Sequence, residues 1–176
     1  MTALRNGLGS MMIVLICLAL AATSHAGDVG DYLTKDGKLK ETVTFKTGGV
    51  DFLAPPGHVW VIEPSGDWTR KHTGTKGKLT AKQLAALAQH LAAQDFKSLP
   101  NAQGFDIESR DAGYHYVVIA VGKKEVAFYT KIGESYDNYL PKSDDPKAAA
   151  WSRFIALKLI LADMLEQTEL KQNQDN

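Results

Sequence analysis

The chain has almost no cysteine. Its one thiol, Cys17, lies inside the first apolar run. A lone cysteine excludes an internal disulfide and a cysteine-based zinc site. Charge of one sign is missing too: 20 basic residues meet 20 acidic ones, so no basic excess invites nucleic acid or anionic lipid. The catalytic motifs are equally scarce. There is no G-x-S-x-G elbow for a serine nucleophile, no G-x-G-x-x-G turn or P-loop for phosphate, and no H-E-x-x-H pair for zinc. His58, His72, His90 and His115 are scattered without ligand spacing. Asp106, Glu108 and Asp111 share one loop but lack the D-x-D-x-D-G order of a calcium site. These absences predict a protein that is not an enzyme, with no cofactor and no metal.

Long apolar runs are rare as well, and the exception is at the start. Met11 to Ala22 is uninterrupted apolar or small, after a segment whose only charge is Arg5. Ser24 and Ala26 then supply the small side chains that signal peptidase accepts. Twelve helical residues rise ~18 Å against ~30 Å of hydrocarbon, too short for a comfortable span. Lipid attachment at Cys17 is disfavoured by Ile16, which stands where a small residue is needed. Residues 1–26 therefore read as a cleavable secretory signal. The expected mature chain is exported, periplasmic or extracellular, and has no stable membrane insertion. It has lost the thiol, and its basic residues number one fewer than its 20 acids.

About 150 residues remain, enough for one domain with a core of its own. Residues 27–40 are polar and glycine-rich and read as a flexible lead-in. Residues 41–166 read as a single domain, and 167–176 as a polar, fraying tail. Within the domain, Thr42 to Lys46 alternates as a half-buried strand does, and Thr47-Gly48-Gly49 reads as its break. His58 to Ile62 forms a second strand, and Trp68 to His72 a third after the turn Pro64-Ser65-Gly66-Asp67. Tyr114 to Val121 and Glu125 to Ile132 flank a hairpin turn at Gly122. Trp60 and Trp68 bracket the tight turn, which leaves one of them free to be exposed.

Two helices are legible. Thr80 and Gln83 match a capping box, with Leu79 and Leu84 as its hydrophobic staple. Leu84, Leu87, Ala88 and Leu91 then line one face. A second helix starts at Asp145 as N-cap with Pro146 at N1. Phe154, Leu157, Leu161, Met164 and Leu165 form its stripe. Ile155 and Leu159 widen that stripe, which calls for a covering loop or a partner, and a homo-oligomer through this helix would supply one. The expected fold is α+β: an antiparallel sheet of about five strands with two helices on one face, in the order β-β-β-α-β-β-α.

Several segments in series carry a resemblance. FKTGGVDFLAPPG leads to an apolar strand and the turn PSGDWT; LTAKQLAALAQHL, DFKSLP, a G-K-K hairpin and a last helix follow. Over residues 41–165 this order resembles the emfourin-like domains, small bacterial proteins named after an inhibitor of thermolysin-type metallopeptidases. The resemblance implies inhibition by occluding a protease cleft, with a secreted metallopeptidase as the protein partner. The matching edge is Gly48, Gly49 and Val50 with Asp51, Phe52, Leu53, Pro55 and Pro56, where Gly-Gly allows close approach and Pro-Pro limits ordering entropy. The competing reading of that loop is backbone turning alone. Two other functions stay open: an extracytoplasmic structural or assembly module, and a hydrolase or metal protein using His58, His72 or His115.

Overall fold

The computed structural model describes residues 27–50, 57–104, 113–132 and 146–175. Residues 1–26, read as a signal, Asp51 to Pro56, the carboxylates Asp106, Glu108 and Asp111, and the expected cap Asp145 lie outside the described residues. Among the described residues seven strands form one sheet: β1 Val43–Val50, β2 His58–Ile62, β3 Asp67–Arg70, β4 Lys76–Lys78, β5 Ala102–Gly104, β6 Tyr114–Val121 and β7 Lys124–Lys131. Helix α1 spans Ala81–Ala93 and α2 spans Pro146–Asp175. Across the sheet the order is β4-β3-β2-β1-β6-β7-β5. Six of these strands run antiparallel to their neighbours, and β5 joins the edge parallel to β7.

The fold is the expected α+β, with two strands more than the expected five. The added strands, β4 and β5, have three residues each and no apolar alternation, KGK and AQG. Only their place at the sheet edges makes them strands.

Alternation sets the buried face. Phe45 of β1 stands between Trp60 of β2 and Ile119 of β6 in register, and it stacks on the Trp60 ring at 5.6 Å. Trp68, Val126 and Phe128 continue this layer. Both tryptophans at the β2–β3 turn are buried, at 6 % and 1 % exposure, so neither is the exposed one the turn allowed.

α1 begins with the expected box: Gln83 N–H donates to Thr80 Oγ1 at 3.3 Å, and Thr80 N–H donates to Gln83 Oε1 at 2.9 Å. Its apolar stripe and that of α2 join the same core cluster, so both helices cover one face of the sheet. Phe154, Leu157, Leu161 and Leu165 are fully buried, each contributing about 1.5–3 kcal/mol by leaving water. Trp151 stacks against Phe128, with ring centroids 3.4 Å apart.

Three local expectations are corrected. The lead-in is packed: Tyr32 and Leu39 are buried in the core, and Gly27 N–H donates to Ala92 O at 2.9 Å. Two well-spaced apolar residues are enough to anchor a segment that is otherwise polar. The tail beyond 166 continues α2 to Asp175, because Thr168 and Glu169 find partners on α1 and β3. Finally, Gly48 and Gly49 do not break β1. They pair with Tyr116 and His115 of β6, and β1 ends at Val50.

Candidate functional site

Register places one set of strand ends together. Val50 at the end of β1 is opposite Tyr114, which opens β6, and Tyr114 is opposite Lys131 at the end of β7. Gly104 of β5 reaches Tyr129 at the same end. The connections 51–56, 105–112 and 133–145 therefore all depart from this end of the sheet.

On the sheet face away from the helices, the stem of the 51–56 connection is pinned. Tyr116 lies over Gly48 and Gly57. A Cβ on Gly48 would stand 2.7 Å from the Tyr116 hydroxyl, and one on Gly57 2.6 Å from it. The glycines serve close packing here: a side chain at either position would displace the ring or the opposite backbone. Beside them Tyr114 and Tyr129 meet edge to face at 5.6 Å, and Val50 is 50 % exposed. Burial raises the Tyr129 phenol above its ordinary pKa of 10.0, with Glu125 and Tyr114 adding to it.

On the helix-bearing face of the same end, a polar cluster closes the core. Arg70 of β3 sits in register opposite Trp60, and its guanidinium lies over the indole, 5.0 Å from the centroid. Arg70 Nη1 donates to both carboxylate oxygens of Glu169 on α2, at 3.0 and 3.2 Å. Arg70 Nη2 reaches His58 Nδ1 at 2.7 Å. Burial lowers the His58 pKa below 6.5, Arg70 and His72 lower it further, and Glu169 opposes them.

The sequence candidates divide accordingly. Gly48, Gly49 and Val50 belong to a strand end, while Asp51, Phe52, Leu53, Pro55 and Pro56 lie outside the described residues. Of the histidines, His58 is engaged by Arg70, His72 and His115 are exposed, and His90 is half-buried on α1. No three histidines, cysteines or carboxylates among the described residues are grouped to hold a metal. No helix among them is long and apolar enough to cross a membrane.

Two features escaped the sequence reading. The Arg70–Glu169 pair joins residues far apart in the chain, although alternation places Arg70 on the same inward face as Trp68. A charge on an inward face demands a partner, and that was the available signal. Tyr116 over the glycine pair gave no such sign, since only the cross-strand register brings them together. At the opposite end of the sheet a groove of about 890 Å³ runs past Tyr32, Glu41 and Gly122. Two of its lysines are already engaged: Lys97 with Asp31 at 3.2 Å, and Lys124 with Leu99 O and Asn101 Oδ1, both at 2.6 Å.

Compared with known protein families, the chain matches no family model. No curated protein matches it either.

Proposed function

We propose that the chain is an exported, non-catalytic binding protein that meets a protein partner through the connection-bearing end of its sheet. The partner we assign is a secreted thermolysin-type metallopeptidase, blocked by occlusion of its cleft. The observation that carries this reading is the Gly48–Gly57 stem locked beneath Tyr116. A connection whose base is fixed before binding loses less conformational entropy on docking, the usual advantage of a rigid inhibitor. The order of elements resembling emfourin-like domains supports the choice of partner, and the apolar run of residues 1–26 supports export.

Titrating the chain without residues 1–26 against a thermolysin-type enzyme tests this directly. Saturable, stoichiometric loss of peptidase activity is the expected result. Full activity at micromolar excess ends the inhibitor reading.

A second reading, an extracytoplasmic assembly module, is favoured by α2. Leu159 and Leu170 are 58 % and 61 % exposed. They lie about three turns apart and so on one helix face. Ile155 is partly covered by the core, so these two leucines are what remains for a partner. Light scattering decides here: a strict monomer whose state does not change on Leu159→Glu removes self-association.

A further inference from the structure

We propose that His58, Arg70 and Glu169 form an acid-released latch that ties the last turns of α2 to the first residue of β2. The inference is independent of which partner the protein binds.

The geometry fixes the protonation state. A guanidinium only donates, and of the two ring nitrogens near Arg70 Nη2 it is Nδ1, at 2.7 Å against 3.4 Å for Nε2, that accepts. The ring is then neutral with its proton on Nε2. In this state Arg70 is held on three sides: His58 at one nitrogen, the Glu169 carboxylate at the other, and the Trp60 ring beneath. Arg70 and Glu169 are only 19 % and 18 % exposed, so water screens their pairing weakly.

Protonating His58 removes the acceptor and sets a second cation against the guanidinium. Among the described residues, the charged and titratable groups facing the ring are Arg70 from β3, His72 just beyond β3, and Glu169 from α2; its β1 partner, Thr47, is neutral. Glu169 is thus the only carboxylate in the cluster among the described residues. It balances one cation, and in acid it must divide itself between Arg70 and the imidazolium. Upstream, Gln83 donates to Thr168 at 3.1 Å, and Leu165 is fully buried, so the helix stays anchored that far. Beyond Glu169, Leu170 is exposed, and the latch is the last described tie between α2 and the sheet.

The sign follows from the lowered imidazole pKa. The folded state prefers neutral His58, so the latch is fully present above 6.5, the ordinary value. It is lost as pH falls from there through the folded pKa.

Amide exchange by mass spectrometry on the chain without residues 1–26, at about pH 7.5 and about pH 5, tests this, together with imidazole titration by NMR. After correction for intrinsic rates, residues 169–175 should lose protection severalfold at the lower pH while α1 keeps its own. His58 should titrate below 6.5 and carry its neutral-state proton on Nε2. His58→Gln, which still offers Arg70 an acceptor, should hold protection at both pH values. Equal wild-type protection at the two pH values, a His58 titration at or above 6.5, or an unchanged pH response in His58→Gln each overturns the latch. If His58→Gln does not fold, the wild-type exchange and titration decide alone.

Discussion

Gly48 and Gly57 lie so close across the β1–β2 stem that a Cβ on Gly48 would stand 2.8 Å from the Cα of Gly57. A Cβ on Gly57 would also stand 2.5 Å from the carbonyl oxygen of Thr47, a backbone atom with no freedom to swing aside. Gly57→Ala should therefore cost about 1–3 kcal/mol, the usual penalty of overpacking. Gly48→Ala should cost a similar amount. Adding Tyr116→Phe to it should recover part of the loss, because the hydroxyl is the nearest of three obstacles, the others being the Gly57 Cα and the Tyr116 ring carbon Cζ. Urea denaturation of the three variants beside wild type measures this. A Gly57→Ala variant within about 0.5 kcal/mol of wild type would show that the stem is looser than described.

The N-terminal strap invites a second test. Tyr32 and Leu39 are 3 % and 2 % exposed, yet they belong to a segment whose composition is that of a linker. Leu39→Ala should cost about 2–5 kcal/mol, as truncation of a fully buried leucine does. Deleting residues 27–40 should cost more, and with a total stability of about 5–15 kcal/mol it threatens folding itself. Thermal melts of both variants read the effect. A deletion that melts with the wild type would return the segment to the status of a linker.

The polar end of α2 makes a third prediction. Ending the chain after Glu166 removes the Thr168 hydroxyl, which accepts from Gln83, and the Glu169 carboxylate held by Arg70. It leaves an inward-facing guanidinium with its carboxylate gone. A loss of about 1–3 kcal/mol follows, and a double-mutant cycle between Arg70→Ala and Glu169→Ala should find the two coupled. Additive single losses would mean that the pair contributes nothing specific.

Much of the fold was legible because its signals are local. The capping box at Thr80 and Gln83, the leucine spacing of α1 and the hairpin at Gly122 are each contained in a few neighbouring residues. What the sequence did not disclose depends on partners distant along the chain. Lys76 to Lys78 becomes a strand only because β3 offers an edge. Leu39 enters the core because the β2–β3 turn accepts it, its N–H donating to Pro64 O at 3.0 Å. The candidate site shows the same division. Gly48 and Gly49 read as a break because glycine weakens an isolated strand, and the close packing at Gly48 needed Tyr116, contributed by β6. Glu169 looked like tail because polarity alone says nothing of an arginine waiting on another element.

Alkaline pH supplies the last prediction, through two phenols. Burial raises the Tyr32 pKa above 10.0, against a backbone hydrogen bond from Lys97, and the carboxylates of Asp31 and Asp95 raise it further. Tyr129 is raised by burial, with Glu125 and Tyr114 adding. A raised folded-state pKa means that the native protein holds its proton longer than the unfolded chain does. Its stabilising effect is complete below 10.0 and is lost as pH rises through the folded values. Melting temperature should therefore start to fall once pH passes 10.0, and native phenolate absorbance should lag behind that of the urea-unfolded chain. Tyr32→Phe removes the more buried of the two phenols and should flatten the alkaline decline, since phenylalanine has no proton to lose. Native and unfolded chains ionising together at 10.0 would overturn this account, and with it the burial of Tyr32 beneath Lys97.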